Sequence, residues 1–520
     1  MAPARVLLIA GSDSSGGAGL EAGQKVLAAH GCYAMTATTA LTVQNTTGVK
    51  GIHVVPADFV ERQIEACLED VGVDVITTGM LAAAETIEAV ARQVRKHRAR
   101  ALVVDPVMVS TSGAQLLPHE AIRNLSQHLL PLTTVLTPNI PEAKLILSEN
   151  GPGDKGVVSE HSGKGEDIRS VADIEAVGRR IQSLGPEWVL VKGGHLPFAA
   201  ADMTIADAGT PHKVVVDTLV GPDGFVMRVE SPWQETTSTH GTGCSLAAAI
   251  SSGLAVGKDV PAAVRAACRY VEAGIREAPQ LGSGHGPLDH FHSTFNLPFS
   301  PGYFIEYLLD RPDVRDVWKN FVYHPFVMAL GDGTLPLESF KGYIIQDYLY
   351  LIHFARANAL AAYKTTDITD ITRSSGSVGH IMHELKLHIS YCESFGISVA
   401  EMRSTEEKQA CTAYTRYVLD IGQSEDWLAL QMAIAPCLLG YGAVAKMLHA
   451  HPSTRRDGNT FWPWIENYIA DDYTAAVKLG SDLIEDNMRR QSPSRVEELV
   501  KIFIHALKME IGFWEMFPHK

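Results

Sequence analysis

Short apolar runs alternate with helical patterns over rather more than the first half of the chain. Apolar residues recur at helical spacing over Ala57–Leu68, Ala84–Lys96 and Ile174–Leu184. The runs between and around these helices predict the strands Val6–Ala10, Val73–Thr78, Ala101–Asp105, Thr134–Thr137 and Trp188–Lys192. Alternating strands and helices predict a mostly parallel sheet that is covered by helices.

Residues able to contact a ligand follow these predicted strands. In open α/β sheets, ligands bind along the carboxyl edge of the strands. The residues at or just beyond that edge are Gly11, Gly79, Asp105, Asn139 and Gly193. The sequence therefore predicts a binding site at this edge.

The pattern changes after a segment rich in Gly, Pro, His and Ser, Gln280–Ser300, which predicts a linker. Most tyrosines and tryptophans lie beyond it, and strand patterns stop. The predicted helices are Leu337–Tyr363, Ser375–Phe395, Glu406–Gly422, Trp427–His449, Trp462–Leu479 and Val496–Met516. We expect an α/β domain over residues 1–290, a linker over 291–300 and an all-helical domain over 301–520.

Composition narrows the class of protein. The 520 residues exceed what one core usually supports, which agrees with two domains. The net charge of −15 argues against nucleic acid or an anionic membrane as the main partner. Seven scattered cysteines without a CxxC pair indicate neither a disulfide framework nor a zinc site. Together with a start that leaves no room for a signal peptide, they favour a cytoplasmic protein.

The stretch Thr239–Cys244, THGTGC, precedes a run of good helix formers. Free N–H groups at a helix start, with glycines allowing close approach, make an anion site. The helix dipole would also favour the thiolate form of Cys244. An ordinary glycine-rich loop before a core helix is the alternative interpretation.

Two other glycine-rich segments fit nucleotide motifs poorly. Gly11–Gly19 follows the first strand but lacks the GxGxxG spacing and the acidic residue about 20 positions later. The chain has no GxxxxGK[ST] loop, and Gly163–Gly165 only resembles one. A phosphotransfer enzyme of this sequence would therefore depend on Gly241–Cys244 as its anion cradle.

The order of motifs resembles the hydroxymethylpyrimidine and hydroxymethylpyrimidine-phosphate kinases of the ribokinase-like superfamily. The matching blocks are GSDSSGGAG (11–19), ALTVQNT (40–46), TGML (78–81), DPVM (105–108), TPNIPEA (137–143), VKGGH (191–195) and THGTGC (239–244). The resemblance implies a three-layer α/β sandwich that phosphorylates a pyrimidine alcohol twice with ATP.

It also implies a role for each matching residue. Gly11, Gln44 and Met80 would line the pyrimidine site, and Lys192 and Asp105 would lie at the ATP phosphates. Asn139 and Glu142 would hold Mg²⁺ through water. Gly241, Thr242 and Gly243 would form the anion hole for the transferred phosphoryl group, and Cys244 would stand at the position of a catalytic base. The alternative interpretations are a structural carboxylate at a strand end for Asp105, a core residue for Met80 and a solvated surface charge for Lys192.

Two positions depart from the family. It usually has an aspartate where this chain has Gly23 and a lysine where it has Thr77. We hypothesise that these residues once faced each other or the ligand near the substrate. The sheet half would then take another alcohol, such as pyridoxal, or have become a non-catalytic pyrimidine-binding or assembly module.

The helical half carries reactive groups among aromatic residues. Asp347 and Tyr350 share one helix face, and Cys437 follows Pro436 on another helix. Glu510 lies three residues before Phe513. Such groups inside a bundle suit a flat heteroaromatic ligand, although aromatic stripes are more often plain core.

Residues from about 300 to 520 resemble the thiaminase II (TenA) family. The matches are HPFVMALGDGTLPLESFKGYIIQDYLYLIHFARA (324–357), AYTRY (413–417), APCLLGY (435–441), NY (467–468) and EIGFW (510–514). The resemblance implies that Cys437 is the nucleophile, Glu510 the acid, and Asp347 the partner of the thiol or of the substrate amine. Tyr350, Tyr414, Tyr441 and Tyr468 would contact the substrate.

Both resemblances together imply a fusion like the bifunctional thiamine-pathway proteins of fungi. One half would release hydroxymethylpyrimidine from thiamine derivatives, and the other would phosphorylate it with ATP and Mg²⁺. We expect small-molecule partners, no nucleic acid or membrane partner, and a homo-oligomer, because both families commonly self-associate.

Overall fold

The computed structural model describes residues 2–97, 99–108, 117, 119–150, 168–194, 196–207 and 209–519. The chain divides into two compact units, Met1–Thr294 and Phe295–Lys520, called here the sheet unit and the helical unit. The predicted polar loop Gly151–Glu166 lies outside the described residues, as does Gly163–Gly165.

The sheet unit is built on one mixed sheet. Its strands are β1 (Arg5–Asp13), β2 (Tyr33–Asn45), β3 (Gly48–Val54), β4 (Val75–Thr78), β5 (Ala101–Val104), β6 (Val135–Leu136), β7 (Trp188–Val191), β8 (Phe198–Ala199), β9 (Lys213–Val220) and β10 (Val226–Pro232). The strand order is β10-β9-β7-β6-β5-β4-β1-β2-β3, and β8 pairs with β9. In this spatial order, each pair of neighbouring strands between β7 and β2 is parallel.

Helices cover both faces of this sheet. They are α1 (Gly19–Ala29), α2 (Ala57–Ala66), α3 (Ala84–His97), α4 (His119–Asn124), α5 (Ile140–Asn150), α6 (Val171–Gln182), α7 (Thr242–Ala255) and α8 (Val260–Arg276). Alternate residues of β1 separate the two cores: Leu7 and Ile9 pack with α2, α3 and α6, whereas Val6 and Leu8 pack with α1, α7 and α8. The predicted three-layer α/β sandwich is therefore confirmed.

The five predicted strands correspond to β1, β4, β5, β6 and β7, but the outer strands were not predicted. The central strands are short and buried on both faces, so they read as apolar runs. Strand β2 alternates threonines with apolar residues and is half-exposed, and β3 is mostly exposed. Their sequences therefore carry no comparable signal.

The helical unit is all α-helix in its described residues, as predicted. Its helices are α9 (Phe304–Asp310), α10 (Pro312–Val322), α11 (Pro325–Asp332), α12 (Leu337–Lys364), α13 (Ile368–Ser394), α14 (Val399–Ser404), α15 (Gln409–Ser424), α16 (Trp427–Ala450), α17 (Trp462–Ile469), α18 (Asp471–Met488) and α19 (Pro493–Trp514). The helix predicted over Trp462–Leu479 is interrupted, because Ala470 is extended with φ −61° and ψ 152°. Asp471 and Asp472 then start α18, where carboxylates suit the helix dipole.

Helix α16 is long and apolar enough to cross a membrane. However, 83% of its most apolar window is buried inside the protein. It packs against α15, α17, α18 and α19 around one aromatic core. Burial of this kind is typical of a core helix.

Part of the predicted linker Gln280–Ser300 belongs to the sheet unit. His285 N donates to Thr46 O at 2.8 Å, and His240 N donates to Gly286 O at 3.0 Å. Residues 280–286 also line the cleft described below. This segment is a wall of the unit, so the linker interpretation was wrong for it.

Candidate active sites

A cleft of about 1340 Å³ opens at the carboxyl edge of the sheet. Gly79 and Gly193, which were also predicted at this edge, are not among the residues that line the cleft. The structure brings together there every residue to which the family resemblance gave a role: Gly11, Gln44, Met80, Asp105, Asn139, Glu142, Lys192, Gly241, Thr242, Gly243 and Cys244. The residues come from six strand ends and from the start of α7. Their convergence follows from parallel strands, whose carboxyl ends share one edge.

One end of the cleft is a cradle for an anion, formed by the start of α7 and Lys192. Gly241 caps the helix with φ +74°, and a Cβ there would overlap the Gly17 carbonyl oxygen. A Cβ on Gly243 would lie 3.1 Å from Lys192 Nζ and 3.3 Å from Asp105 Oδ2. The ammonium group therefore stands over the first helical turn, whose N–H groups have no intrahelical acceptor. Both features attract phosphate.

Lys192 and Asp105 form a buried ion pair in this cradle, with Nζ and Oδ1 2.7 Å apart. Burial alone would lower the pKa of Lys192, but the carboxylates of Asp105 and Glu142 raise it above its usual value. The lysine is therefore cationic at neutral pH. Thr137 Oγ1 also donates to Asp105 Oδ1 at 3.0 Å and fixes the carboxylate.

Asn139 and Glu142 hold the start of α5 in a reciprocal cap. Asn139 N donates to Glu142 Oε2 at 2.9 Å, and Glu142 N donates to Asn139 Oδ1 at 2.8 Å. Burial raises the pKa of Glu142 to about 7, although Lys192 acts in the opposite direction. Both side chains thus have a structural role in addition to any contact with a hydrated cation.

The expected thiolate at Cys244 was wrong. Burial, followed by the nearby Asp105 carboxylate, raises the pKa of this thiol to about 12. These effects exceed that of the helix dipole because the side chain is partly buried and lies near the carboxylates of Asp105 and Glu142. Cys244 is a neutral thiol at physiological pH.

Gly11, Gln44 and Met80 form a part of the cleft lining that suits a small polar ring. Gly11 lies against the Met80 side chain so closely that a Cβ would overlap it. Gln44 carries a carboxamide, with Oε1 3.2 Å from Thr42 Oγ1 and Nε2 3.3 Å from His240 Nε2. A carboxamide can both donate to and accept from a ring edge.

Gly23 and Thr77 do not line this cleft. Gly23 lies on the buried face of α1, where a Cβ would lie 2.7 Å from Leu8 Cδ1. Thr77 is paired with Leu8 in the sheet and donates to Ser251 Oγ at 2.6 Å. Both positions lie next to Leu8 of β1, and neither is part of the lining of the cleft. The interpretations that they redirect the substrate or abolish catalysis are therefore not favoured.

The helical unit gathers its predicted residues around Glu510. Tyr414 donates to Glu510 Oε1 at 2.9 Å, and Tyr441 donates to Oε2 at 3.4 Å. Tyr350 stacks on Tyr414 with ring centres 4.9 Å apart, and Tyr468 lies 5.3 Å from Tyr441. Burial raises the pKa of Glu510 to about 8, as its apolar surroundings predicted. Glu510 therefore carries a proton at neutral pH.

Cys437 lies on α16 beside this cluster and keeps some exposed surface, whereas Glu510 and Tyr414 are fully buried. Burial raises the pKa of its thiol well above the usual value, and Glu510, Glu384 and Asp347 add to that shift. The thiol is close enough to these carboxyl groups for electrostatic coupling. A nucleophilic cysteine here needs a nearby group to accept its proton.

Two family models match the chain. The phosphomethylpyrimidine kinase model matches residues 13–289, and the TENA/THI-4/PQQC family model matches residues 311–519. The chain belongs to the phosphomethylpyrimidine kinase family. Its helical unit carries the match to the TENA/THI-4/PQQC family.

Three relatives of this kinase each match nearly the whole length of the chain. A hydroxymethylpyrimidine/phosphomethylpyrimidine kinase of Schizosaccharomyces pombe is 41% identical over 98% of this chain and 90% of its own length. One of Saccharomyces cerevisiae is 31% identical over 98% of this chain and 94% of its own. A thiamine biosynthesis multifunctional protein of Corynebacterium efficiens is 31% identical over 99% of this chain and 69% of its own.

Sequence reasoning missed two histidine–carboxylate pairs of this kinase. His240 Nε2 lies 2.8 Å from Asp13 Oδ2 in the cleft, and the Asp13 carboxylate also accepts from Gly17 N and Ala18 N. His388 Nε2 lies 2.7 Å from Asp347 Oδ2 in the helical unit. His240 lies in the THGTGC block, whereas His388 lies in none of the matching blocks. Nothing in the sequence connects either histidine with its carboxylate, which lies 227 residues away for Asp13 and 41 residues away for Asp347.

Proposed function

We propose that the sheet unit transfers phosphate from ATP to hydroxymethylpyrimidine and then to its monophosphate. The observation that carries this proposal is one cleft that holds two chemically different groups of residues. Gly11, Gln44 and Met80 line it together with Lys192 and the start of α7. A ring held by Gln44 and its neighbours would present its hydroxymethyl group to the anion cradle.

The cradle supplies the electrostatics of phosphoryl transfer. Negative charge on the transferred group is stabilised by Lys192 and by the free N–H groups of Thr242 and Gly243. Asp105 holds the lysine in place at 2.7 Å. The neutral Cys244 thiol would orient the substrate hydroxyl rather than take its proton, since its pKa is about 12.

Mg²⁺ fits this site as a hydrated ion that arrives with the nucleotide phosphates. Glu142 and Asp105 both line the cleft, but the Glu142 oxygens already accept backbone N–H groups. Mg²⁺ commonly keeps several waters beside one or two carboxylates and substrate phosphates. Asn139 and Glu142 would thus contact it through water, and the ion would neutralise phosphate charge.

We propose that the helical unit hydrolyses thiamine or a degraded derivative to hydroxymethylpyrimidine. The Cys437 thiolate forms an S–C bond at the ring carbon next to the one that bears the methylene. Glu510 protonates the ring nitrogen, and the leaving amine departs with the electron pair of the CH₂–N bond. Water then adds to the methylene and loses a proton. The C–S bond breaks with its electron pair on sulfur, and the ring nitrogen returns its proton to Glu510, which restores the ring and the acid.

The protonated Glu510 beside Cys437 supports this reaction, because the addition needs a proton donor at the ring. Tyr350, Tyr414, Tyr441 and Tyr468 offer the aromatic surfaces for a flat pyrimidine. Asp347 would accept the thiol proton or hold the exocyclic amine. The two reactions in sequence make a thiamine salvage enzyme.

One experiment tests both halves. The protein is incubated with thiamine, ATP and Mg²⁺ are then added, and pyrimidine products are followed by mass. We expect hydroxymethylpyrimidine first, and its mono- and diphosphate after ATP. Release without phosphorylation, or phosphorylation of added hydroxymethylpyrimidine without release, would contradict the proposal for the silent unit alone.

We further propose that the enzyme acts on free small molecules in the cytoplasm as a homo-oligomer. All seven cysteines are free thiols, which agrees with a reducing compartment. The oligomeric state follows from sedimentation of the purified protein.

A further inference from the structure

The hydrogen bonds of His388 define where its protons are. Its Nδ1 lies 3.1 Å from the Glu384 carbonyl oxygen, four residues earlier on α13. A carbonyl oxygen only accepts, so Nδ1 carries a proton. Its Nε2 lies 2.7 Å from Asp347 Oδ2, and both side chains are about 95% buried. One proton is therefore shared between Nε2 and Oδ2, and the pair has no net charge.

The surroundings favour the imidazolium–carboxylate form of this pair. The Tyr343 hydroxyl is a second donor to Asp347 Oδ2, at 3.4 Å. Burial alone would lower the pKa of His388, but Asp347 and Glu384 raise it to about 9. The titratable groups facing the histidine are Asp347 and Tyr343 on α12, Glu384 on its own helix and Tyr468 on α17, whose hydroxyl donates to Glu384.

Both contacts to Asp347 use the same oxygen. Oδ2 accepts from His388 and Tyr343, and no described residue hydrogen-bonds Oδ1. The carboxylate is thus held at one oxygen and available at the other. Asp347 lies one turn before Tyr350 on α12, and Tyr350 stacks on Tyr414, whose hydroxyl donates to Glu510 at 2.9 Å, so the carboxylate belongs to the same buried cluster as the acid.

We propose that His388 is a positioning residue for pyrimidine release: it holds Asp347 through Oδ2 so that Oδ1 meets the thiol proton or the exocyclic amine. This inference rests on the proposed function of the helical unit. Nothing in the histidine itself touches the reacting atoms. Its effect comes from fixing the orientation and the charge of Asp347, as a third group orients the base in a catalytic triad.

His388→Phe tests this role, because the ring keeps its bulk and loses both hydrogen bonds. We expect kcat for release to fall about 100-fold, the scale of a misplaced catalytic group, with KM within about threefold. The matched control is His353→Gln, since His353 Nε2 forms a similar contact with Glu407 at 2.8 Å outside the cluster. A folded His388→Phe enzyme with wild-type kcat would overturn the proposal.

A second variant keeps the test decisive if the phenylalanine does not fold. His388 lines a small pocket of about 90 Å³ with Tyr391, Trp464 and Tyr468, so that His388→Ala would open a space for free imidazole. We expect added imidazole to restore at least about one-tenth of the lost rate, and to do so more strongly where it is protonated. A folded His388→Ala enzyme that imidazole does not restore would place the loss in packing and would also overturn the proposal.

Alkylation of Cys437 separates this inference from the proposed function. The rate of iodoacetamide labelling is followed by peptide mass, with the partly exposed Cys67 of the sheet unit as internal reference. We expect His388→Phe to slow labelling of Cys437 about tenfold near neutral pH, because Asp347 is then no longer held in the orientation that meets the thiol proton, and to leave Cys67 unchanged. If the wild-type protein releases no pyrimidine, but its Cys437 is labelled faster than that of His388→Phe, only the proposed function fails and the positioning of Asp347 by His388 stands.

Discussion

The two units would bind the same small ring with opposite means. The sheet unit uses backbone groups and one lysine at the edge of a sheet, in an open cleft of about 1340 Å³. The helical unit uses side chains from separate helices, with a buried acid, a thiol and stacked phenols. A travelling phosphate needs positive potential and room for a nucleotide, whereas carbon chemistry on a ring needs a nucleophile and proton donors close to the ring.

This contrast predicts where each unit is most sensitive. The helical unit should fail when one reactive atom is replaced, since no backbone group can take over the role of sulfur. The sheet unit should fail when the backbone at the start of α7 is displaced. Each change should leave the other reaction intact, because the core of the helical unit is separate from the two cores of the sheet unit.

The largest expected effect is that of Cys437→Ser. Without the nucleophile, release of hydroxymethylpyrimidine should fall by about 10⁴-fold or more, while phosphorylation of added hydroxymethylpyrimidine stays unchanged. The measurement is product mass from thiamine and, separately, ATP consumption. Cys67→Ser is the control, since Cys67 is also partly exposed but lies in the sheet unit. Substantial release by the serine variant would remove Cys437 from the mechanism.

Next in size is Gly241→Ala. The added Cβ would overlap the Gly17 carbonyl oxygen and strain a residue at φ +74°, so the start of α7 must move. Loss of one anion-hole donor typically costs 100- to 1000-fold in kcat, and we expect about that loss in phosphorylation only. Gly257→Ala is matched to it: Gly257 also has a left-handed φ, of +91°, near the other end of α7, but a Cβ there meets nothing within 4 Å. Equal losses in both variants would show that strain alone is responsible.

The pH profiles of the two reactions should differ through Glu510. Its folded pKa is about 8, so the acid is protonated below that pH and ionised above it. If Cys437 passes its proton to Asp347 inside the site, release should fall about tenfold per pH unit above pH 8, and phosphorylation should show no such limb. Rates measured from pH 6 to 10 test this. Release that keeps rising through pH 9 would mean that the thiol ionises to solvent instead.

Much of this arrangement can be predicted from the sequence, and for physical reasons. The buried parallel strands β1 and β4 to β7 are apolar runs, and the ligand edge follows from their direction. The outer strands β2, β3, β9 and β10 are not predicted, because half-exposed strands mix polar and apolar residues. The break at Ala470 is invisible too, since alanine is the best helix former.

The residues within each site show the same limit. Motifs indicated the groups that we propose touch a ligand, such as Gln44 and Cys437. They did not give Asp13 with His240 or Asp347 with His388, because such pairs join distant segments. The sequence also did not show that Cys244 is partly buried close to the Asp105 carboxylate. It therefore suggested a thiolate, whereas these surroundings favour the neutral thiol.

A smaller effect is expected from Gln44→Leu, which sharpens the comparison at the ring-binding end of the cleft. Loss of the carboxamide leaves ring polar atoms unpaired, at about 1–3 kcal/mol, so kcat/KM for hydroxymethylpyrimidine should fall about 10- to 100-fold. Release from thiamine should not change. The exposed Gln24→Leu on α1 is the control. An unaltered kcat/KM in an ATP-coupled assay would remove Gln44 from ring recognition.

The smallest expected effect is that of Thr77→Val, which tests whether the core beneath the cleft influences the substrate. Thr77 donates to Ser251 Oγ at 2.6 Å, and the variant loses that hydrogen bond. Ser251 keeps its own contact to the Ala247 carbonyl oxygen at 2.8 Å, so no buried donor is left unpaired. We therefore expect a loss of about 1 kcal/mol in the free energy of unfolding of the sheet unit, measured with denaturant. KM for hydroxymethylpyrimidine should stay within about twofold, since Thr77 lies outside the lining of the cleft. A tenfold change in KM would mean that this core transmits strain to Gln44, and Gly23 would then regain its place in substrate selection.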